Sequence, residues 1–114
     1  MVDKKIIELA KTYIKLIPNN MDLKGAYLFG SYVNGNEREE SDIDIALVIG
    51  KMNNFFDTQR MLMKLRRKID LRIEPHPIGE SDFTEKNPFA FEIKKNGIEA
   101  MRTSGYYFFN LVAI

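Results

Sequence analysis

The chain has 114 residues, 45% of them apolar and 29% charged, with 17 basic and 16 acidic side chains and no cysteine. That length suits one domain with a single core and is too short for a second unit of comparable size. The composition excludes disulfides and thiolate metal sites, no run approaches the roughly 18 apolar residues of a membrane span, and a net charge of +1 lacks the basic excess of a protein that grips long nucleic acid.

Ile6, Leu9, Ala10, Tyr13 and Ile17 recur at helical spacing over residues 3–17, and Pro18 with Asn19-Asn20 ends the run. The mixed charges of this opening helix differ from a secretory leader, so a soluble, cytoplasmic protein is expected. "KGAYLFG" reads as a strand ending at Gly30, and "SYVNGN" as one helical turn. Glu37, Glu39 and Glu40 then fall in a solvated loop. In "DIDIALVI", Ile43, Ile45, Leu47 and Ile49 take one face of a strand, and Asp42, Asp44, Ala46 and Val48 the other.

Gly50 and Asn53-Asn54 break that strand, and a second amphipathic helix is expected over 54–68. Its methionines and phenylalanines read as core filling. The basic cluster Arg66-Arg67-Lys68 suits the negative end of the helix dipole. "IDLRIEPHPI" follows as a strand in which Asp70, Arg72 and Glu74 alternate with Leu71 and Ile73, until Pro75 and Pro77 stop regular pairing. A helix near 88–95, Gly97 and a brief apolar "IEAM" come next. This order implies an α+β (α/β) fold: one domain, 1–114, with a small mixed β-sheet, helices packed on one face, and the Asp-bearing face left open. The tail "GYYFFNLVAI" is too apolar to lie bare, and is expected to add an edge strand or to pack on another subunit or a partner.

Residues two apart on a strand lie about 6.5 Å apart and point the same way, so Asp42 and Asp44 present paired carboxylates. Beside apolar neighbours, two such charges repel and tend to take up a proton unless a cation joins them. Magnesium fits, because it takes one or two carboxylates and completes its shell with water and phosphate. Asp70, on a neighbouring strand, would add a third carboxylate, enough for two ions about 3.5 to 4 Å apart. Gly30 lets backbone approach a ligand, and the turn after it, with the Ser31 hydroxyl, suits a triphosphate. Metal ions on Asp42 and Asp44 would then cover the reactive α-phosphate.

Gly30-Ser31, ten residues, then Asp42-Ile43-Asp44 resembles the signature of the polymerase-beta-like nucleotidyltransferase superfamily, and the small size resembles its minimal, stand-alone members. Asp70-Leu71-Arg72 is similar to the Asp-x-Arg of the third catalytic strand. The resemblance covers residues 24–101. It implies a palm-like nucleotidyltransferase fold and transfer of a nucleoside monophosphate from a triphosphate, with ATP the expected donor, to an acceptor hydroxyl, with two magnesium ions. Asp42, Asp44 and Asp70 become the catalytic metal ligands, Gly30 and Ser31 the nucleotide contact, and Arg72 a residue that steadies an aspartate. Minimal members are often the antitoxin beside a HEPN-domain toxin, and some adenylylate that toxin. Many relatives read Gly-Ser-x-Ala-Arg-Gly, whereas "GSYVNG" has Val33 and Asn34, with no cation there; Arg38 reads as a solvated loop residue.

His76, a lone histidine between prolines, reads as a packing or loop residue outside the site. Glu74 shares the face of Asp70 and is the reserve third carboxylate, because one slip of register would exchange them. The rival to an enzyme is an antitoxin-like binding subunit that covers a partner through its apolar tail. A nucleotide-sensing regulatory domain is a third reading.

Overall fold

The computed structural model describes residues 2–38 and 40–103; Glu39 and the apolar tail at 105–114, for which an edge strand or a partner contact was expected, lie outside them. Helix α1 (Lys4–Ile14) begins at Asp3, whose carboxylate accepts the Lys5 N–H at 2.8 Å. It is followed by strand β1 (Leu23–Phe29), the short helix α2 (Ser31–Asn34), β2 (Ile43–Ile49), α3 (Phe55–Leu65), β3 (Ile73–Gly79), α4 (Pro88–Asn96) and β4 (Ile98–Arg102). The helix expected over 3–17 gives way at Lys15 to looser turns, since the residue before Pro18 is pushed out of helical conformation.

The four strands lie in the order β3-β2-β1-β4. β1 runs antiparallel to β2 and to β4, while β2 and β3 run parallel across the α3 crossover. The sheet is therefore mixed, as expected. The expected apolar "IEAM" is the edge strand β4.

Pro75 and Pro77 do not stop the pairing: both lie within β3, in register with Ile45 and Leu47. β3 is the sheet edge, and residues 73, 75 and 77 turn their backbone groups away from β2, where a missing N–H costs no ladder bond. The outward carbonyls find side chains instead: Arg66 Nη1 donates to Ile73 at 3.0 Å and Gln59 Nε2 to Pro75 at 3.1 Å. α3 thus covers the open edge that the prolines mark.

The larger core sits beneath α1 and α3. It joins Ile6, Ala10, Tyr13 and Ile14 to Ile43, Ile45, Leu47, Leu62 and Ile73. The buried Tyr13 hydroxyl donates to the Leu62 carbonyl at 2.8 Å, tying α1 to α3; burial pushes its pKa well up. Phe55 and Phe56, expected in this core, are 46% and 74% exposed. They lie in the first turn of α3 and pack edge-on against each other, beyond the reach of the sheet.

A second, smaller cluster lies on the opposite face, where Phe83, Ala90 and Ile93 cover Tyr27, Ala46 and Val48. The Asp-bearing face is consequently not open along its whole length. α4 closes its far half, and only the end carrying Asp44 is accessible. Among the described residues, no helix is long and apolar enough to cross a membrane.

Candidate active site

The site forms where β1 ends and β2 begins. Gly30 has φ 81° and ψ −150°, a conformation open in practice to glycine alone. Its carbonyl accepts the N–H groups of Val33 and Asn34, each at 3.0 Å, which turns the chain sharply into α2. A side chain at Gly30 would run into the Asp44 carboxylate. The missing Cβ is what lets this turn lie directly against Asp44 Oδ2.

Pairing on both sides of β2 collects the remaining groups. Phe29 faces Asp44 across the antiparallel ladder, and Glu74 faces Asp44 across the parallel one, so the three share one rung and one side of the sheet. The next rung carries Tyr27, Ala46 and His76. His76 leans back to place Nε2 at 2.9 Å from Asp44 Oδ1. Asp42 is exposed and immediately precedes β2. The Ile43 N–H donates to the Arg72 carbonyl at 2.8 Å, so the register carried one step back brings Asp42 level with Arg72. Ser31 opens α2 and is half-buried, and its hydroxyl makes no hydrogen bond among the described residues.

Asp70 and Arg72 do not occupy the strand position expected of them. β3 starts at Ile73, and Asp70 and Arg72 belong to the turn before it. The Asp70 carboxylate accepts the Arg72 backbone N–H at 2.8 Å, Nε at 3.0 Å and Nη2 at 2.8 Å. This local clasp bends the chain out of the ladder. The hydrogen bonds from Arg72 hold the Asp70 carboxyl below the usual carboxylate range, and Asp70 in turn raises the guanidinium. Arg72 Nη1 also donates to the buried Tyr32 hydroxyl at 2.9 Å, linking the turn to α2.

The structure thus sets Gly30 and His76 against Asp44, puts Glu74 on the same rung as Asp44, leaves Asp42 just before β2 and Ser31 just after Gly30, and pairs Asp70 with Arg72. His76 is the residue that sequence reasoning left out. Its signal was the alternation in "IEPHPI": prolines two apart fit an edge strand whose outward groups are unpaired, which turns Glu74 and His76 onto the face of Asp44. Glu37, Arg38 and Glu40 are exposed, and the loop is closed by the Arg38 N–H donating to Ser41 Oγ at 2.7 Å.

Among the described residues, no group of three or more histidine or acidic side chains is arranged to hold a metal ion unaided. Magnesium does not require one, because water and substrate phosphate complete its shell. The exposed Asp42 and the half-buried Asp44 and Glu74, beside a backbone turn that admits a ligand closely, are compatible with that chemistry. A cleft of about 410 Å³ opens at the other end of β2, between Pro18, Met21, Lys51, Asn54 and Met61, away from these groups.

The family described as polymerase beta, nucleotidyltransferase, matches residues 5–104. A relative from Methanocaldococcus jannaschii, named as a protein adenylyltransferase, is 31% identical over 100 residues, which cover 83% of this chain and 98% of that one. The crystal structure of a nucleotidyltransferase from Sulfolobus solfataricus superposes with a TM-score of 0.64 at 24% identity, covering 90% of this chain and 86% of that one. A toxin-antitoxin crystallised with AMP-PNP superposes with a TM-score of 0.59 at 21% identity, covering 86% of this chain and 74% of the other. With its mixed sheet, its glycine turn and an acidic strand in the matched region, the chain belongs to the polymerase beta nucleotidyltransferase family and is an enzyme of that class.

Proposed function

We propose that this enzyme transfers the AMP group of ATP to a hydroxyl of a partner protein in the cytoplasm. The acceptor oxygen attacks the α-phosphorus, the bond from that phosphorus to the oxygen bridging toward the β-phosphate breaks, pyrophosphate leaves, and the acceptor's proton passes to solvent. The observation that carries this reading is the shared rung of Asp44 and Glu74 beside the Gly30 turn. The adenylyltransferase name of a relative matched over 98% of its own length supports the choice of donor and acceptor.

In this reading Asp42 and Asp44 hold magnesium, and Gly30 with Ser31 receives the triphosphate. Two bound magnesium ions supply charge neutralisation at the α-phosphate and favour the deprotonated acceptor hydroxyl. The third carboxylate is assigned to Glu74, which stands level with Asp44. Asp70, the other candidate, is engaged by three hydrogen bonds from Arg72 and serves with it to hold the turn against α2. The fold shared with a toxin-antitoxin supports a toxin as the partner whose hydroxyl is modified, and the resemblance to the minimal members makes a HEPN-domain toxin the one to test.

The test is transfer of label from α-labelled ATP to that partner with magnesium present. Asp42→Asn with Asp44→Asn is expected to abolish labelling. Glu74→Gln is expected to reduce it about a hundredfold or more, and Asp70→Asn only slightly. Equal loss in Asp70→Asn and none in Glu74→Gln would return the third ligand to Asp70. Inhibition of the partner that survives the double substitution, with no label transferred, would identify a binding subunit instead.

A further inference from the structure

Asp44 has a protein partner that the transfer reading leaves without a task. We propose that His76 is a positioning residue that fixes the rotamer of Asp44, leaving Oδ2 free for the cation. The inference rests on the reading of Asp44 as a metal ligand.

A carboxylate only accepts hydrogen bonds, so the 2.9 Å contact with Asp44 Oδ1 requires the proton on His76 Nε2. The other oxygen, Oδ2, lies against Gly30, where any side chain would collide with it. One oxygen is thus anchored and the other faces the turn proposed to receive the triphosphate. The ring is itself held. Phe29 meets it edge-on, with centroids 4.9 Å apart and planes at 63°, and Phe89 of α4 stands 6.1 Å away. His76 is paired with Ala46, whose small side chain leaves the ring room to lean one rung back toward Asp44. The imidazole therefore has apolar support behind it and a single polar task in front. Groups that orient a metal ligand in this way are commonly worth ten- to a hundredfold in metal affinity.

His76 is the only histidine in the chain, so its ring nitrogens are assigned without ambiguity. A long-range ¹H–¹⁵N spectrum recorded at about pH 8.5 is expected to show the proton held wholly on Nε2, and Asp44→Ala to relax it to the mixture of tautomers, weighted toward Nε2, of a free neutral imidazole. Binding of Mn²⁺ alone, read from the loss of the free-ion electron paramagnetic resonance signal, is expected to weaken about tenfold or more in His76→Phe. His76→Gln, whose amide nitrogen reaches the same place, recovers most of the loss. A proton on Nδ1 in the wild type, no Mn²⁺ binding by the wild type, unchanged affinity in His76→Phe, or a His76→Gln as impaired as His76→Phe would each overturn the proposal. If the spectrum and the Mn²⁺ pattern hold while no label leaves ATP, the transfer reading fails and the positioning role stands. If label is transferred while Mn²⁺ affinity is indifferent to His76, the positioning role fails and the transfer reading stands.

Discussion

The two faces of β2 are one strand put to opposite uses. Ile43, Ile45, Leu47 and Ile49 are all buried in the larger core under α1 and α3. On the other side, Ala46 and Val48 are sealed by α4, while Asp44 remains 20% exposed beside His76 and Glu74. Alternation along the strand separates the residues that stabilise the sheet from those offered to a ligand. The stretch between the sealed and accessible halves of the second face is only one rung, from Ala46 to Asp44. A rigid, well-packed strand thereby carries a polar group whose position is set by its neighbours on both sides, as a site needs.

If this division is real, substitutions on the two faces should fail in different ways. Asp44→Asn should lower label transfer about a thousandfold while the urea midpoint of unfolding stays near that of the wild type. Ile45→Ala, one residue along and facing the core, should cost about 2 to 5 kcal/mol of stability, with transfer per folded molecule retained. Loss of stability in the first, or loss of transfer without unfolding in the second, would break the comparison. Tyr13→Phe sharpens it, since it removes the buried hydrogen bond to Leu62 far from the acidic face. Urea unfolding should register about 1 kcal/mol, and ATP-dependent transfer no change.

The smallest effect concerns Asp70. Its pKa is held low by Arg72, so the folded state binds fewer protons than the unfolded one between the lowered value and the ordinary aspartate value of about 3.9. The pair's contribution is therefore fully present above that ordinary value and is lost as pH falls through the lowered one. Arg72 is 35% exposed, and solvent screening keeps the contribution below about 1 kcal/mol. Denaturant curves of the wild type and Asp70→Asn should differ by that amount near neutral pH and converge in acid. A gap that persists in acid would show that Asp70 acts through packing.

Much of the acidic face was legible because its signals are local. A glycine that ends a strand, a short turn and an Asp-x-Asp alternating with isoleucines depend on backbone conformation and period alone, and Gly30, Asp42 and Asp44 lie near where that pattern put them. The "IDLRIEPHPI" segment was misjudged at both ends. Its two prolines looked like breakers, yet they mark a sheet edge. Its first residues looked extended, yet a guanidinium two residues on draws the Asp70 carboxylate into a turn.

By itself the sequence determined the alternation on β2, the glycine at the close of β1 and the amphipathic helices, since each follows from side-chain period or from conformations that few residues can adopt. Only the tertiary structure decided which acid meets Asp44 and what becomes of His76. The partner of a strand residue depends on register and strand order, which are set by the packing of whole elements. A one-residue slip would have exchanged every side chain on the face, and the packed core beneath Ile43, Ile45 and Ile73 prevents it.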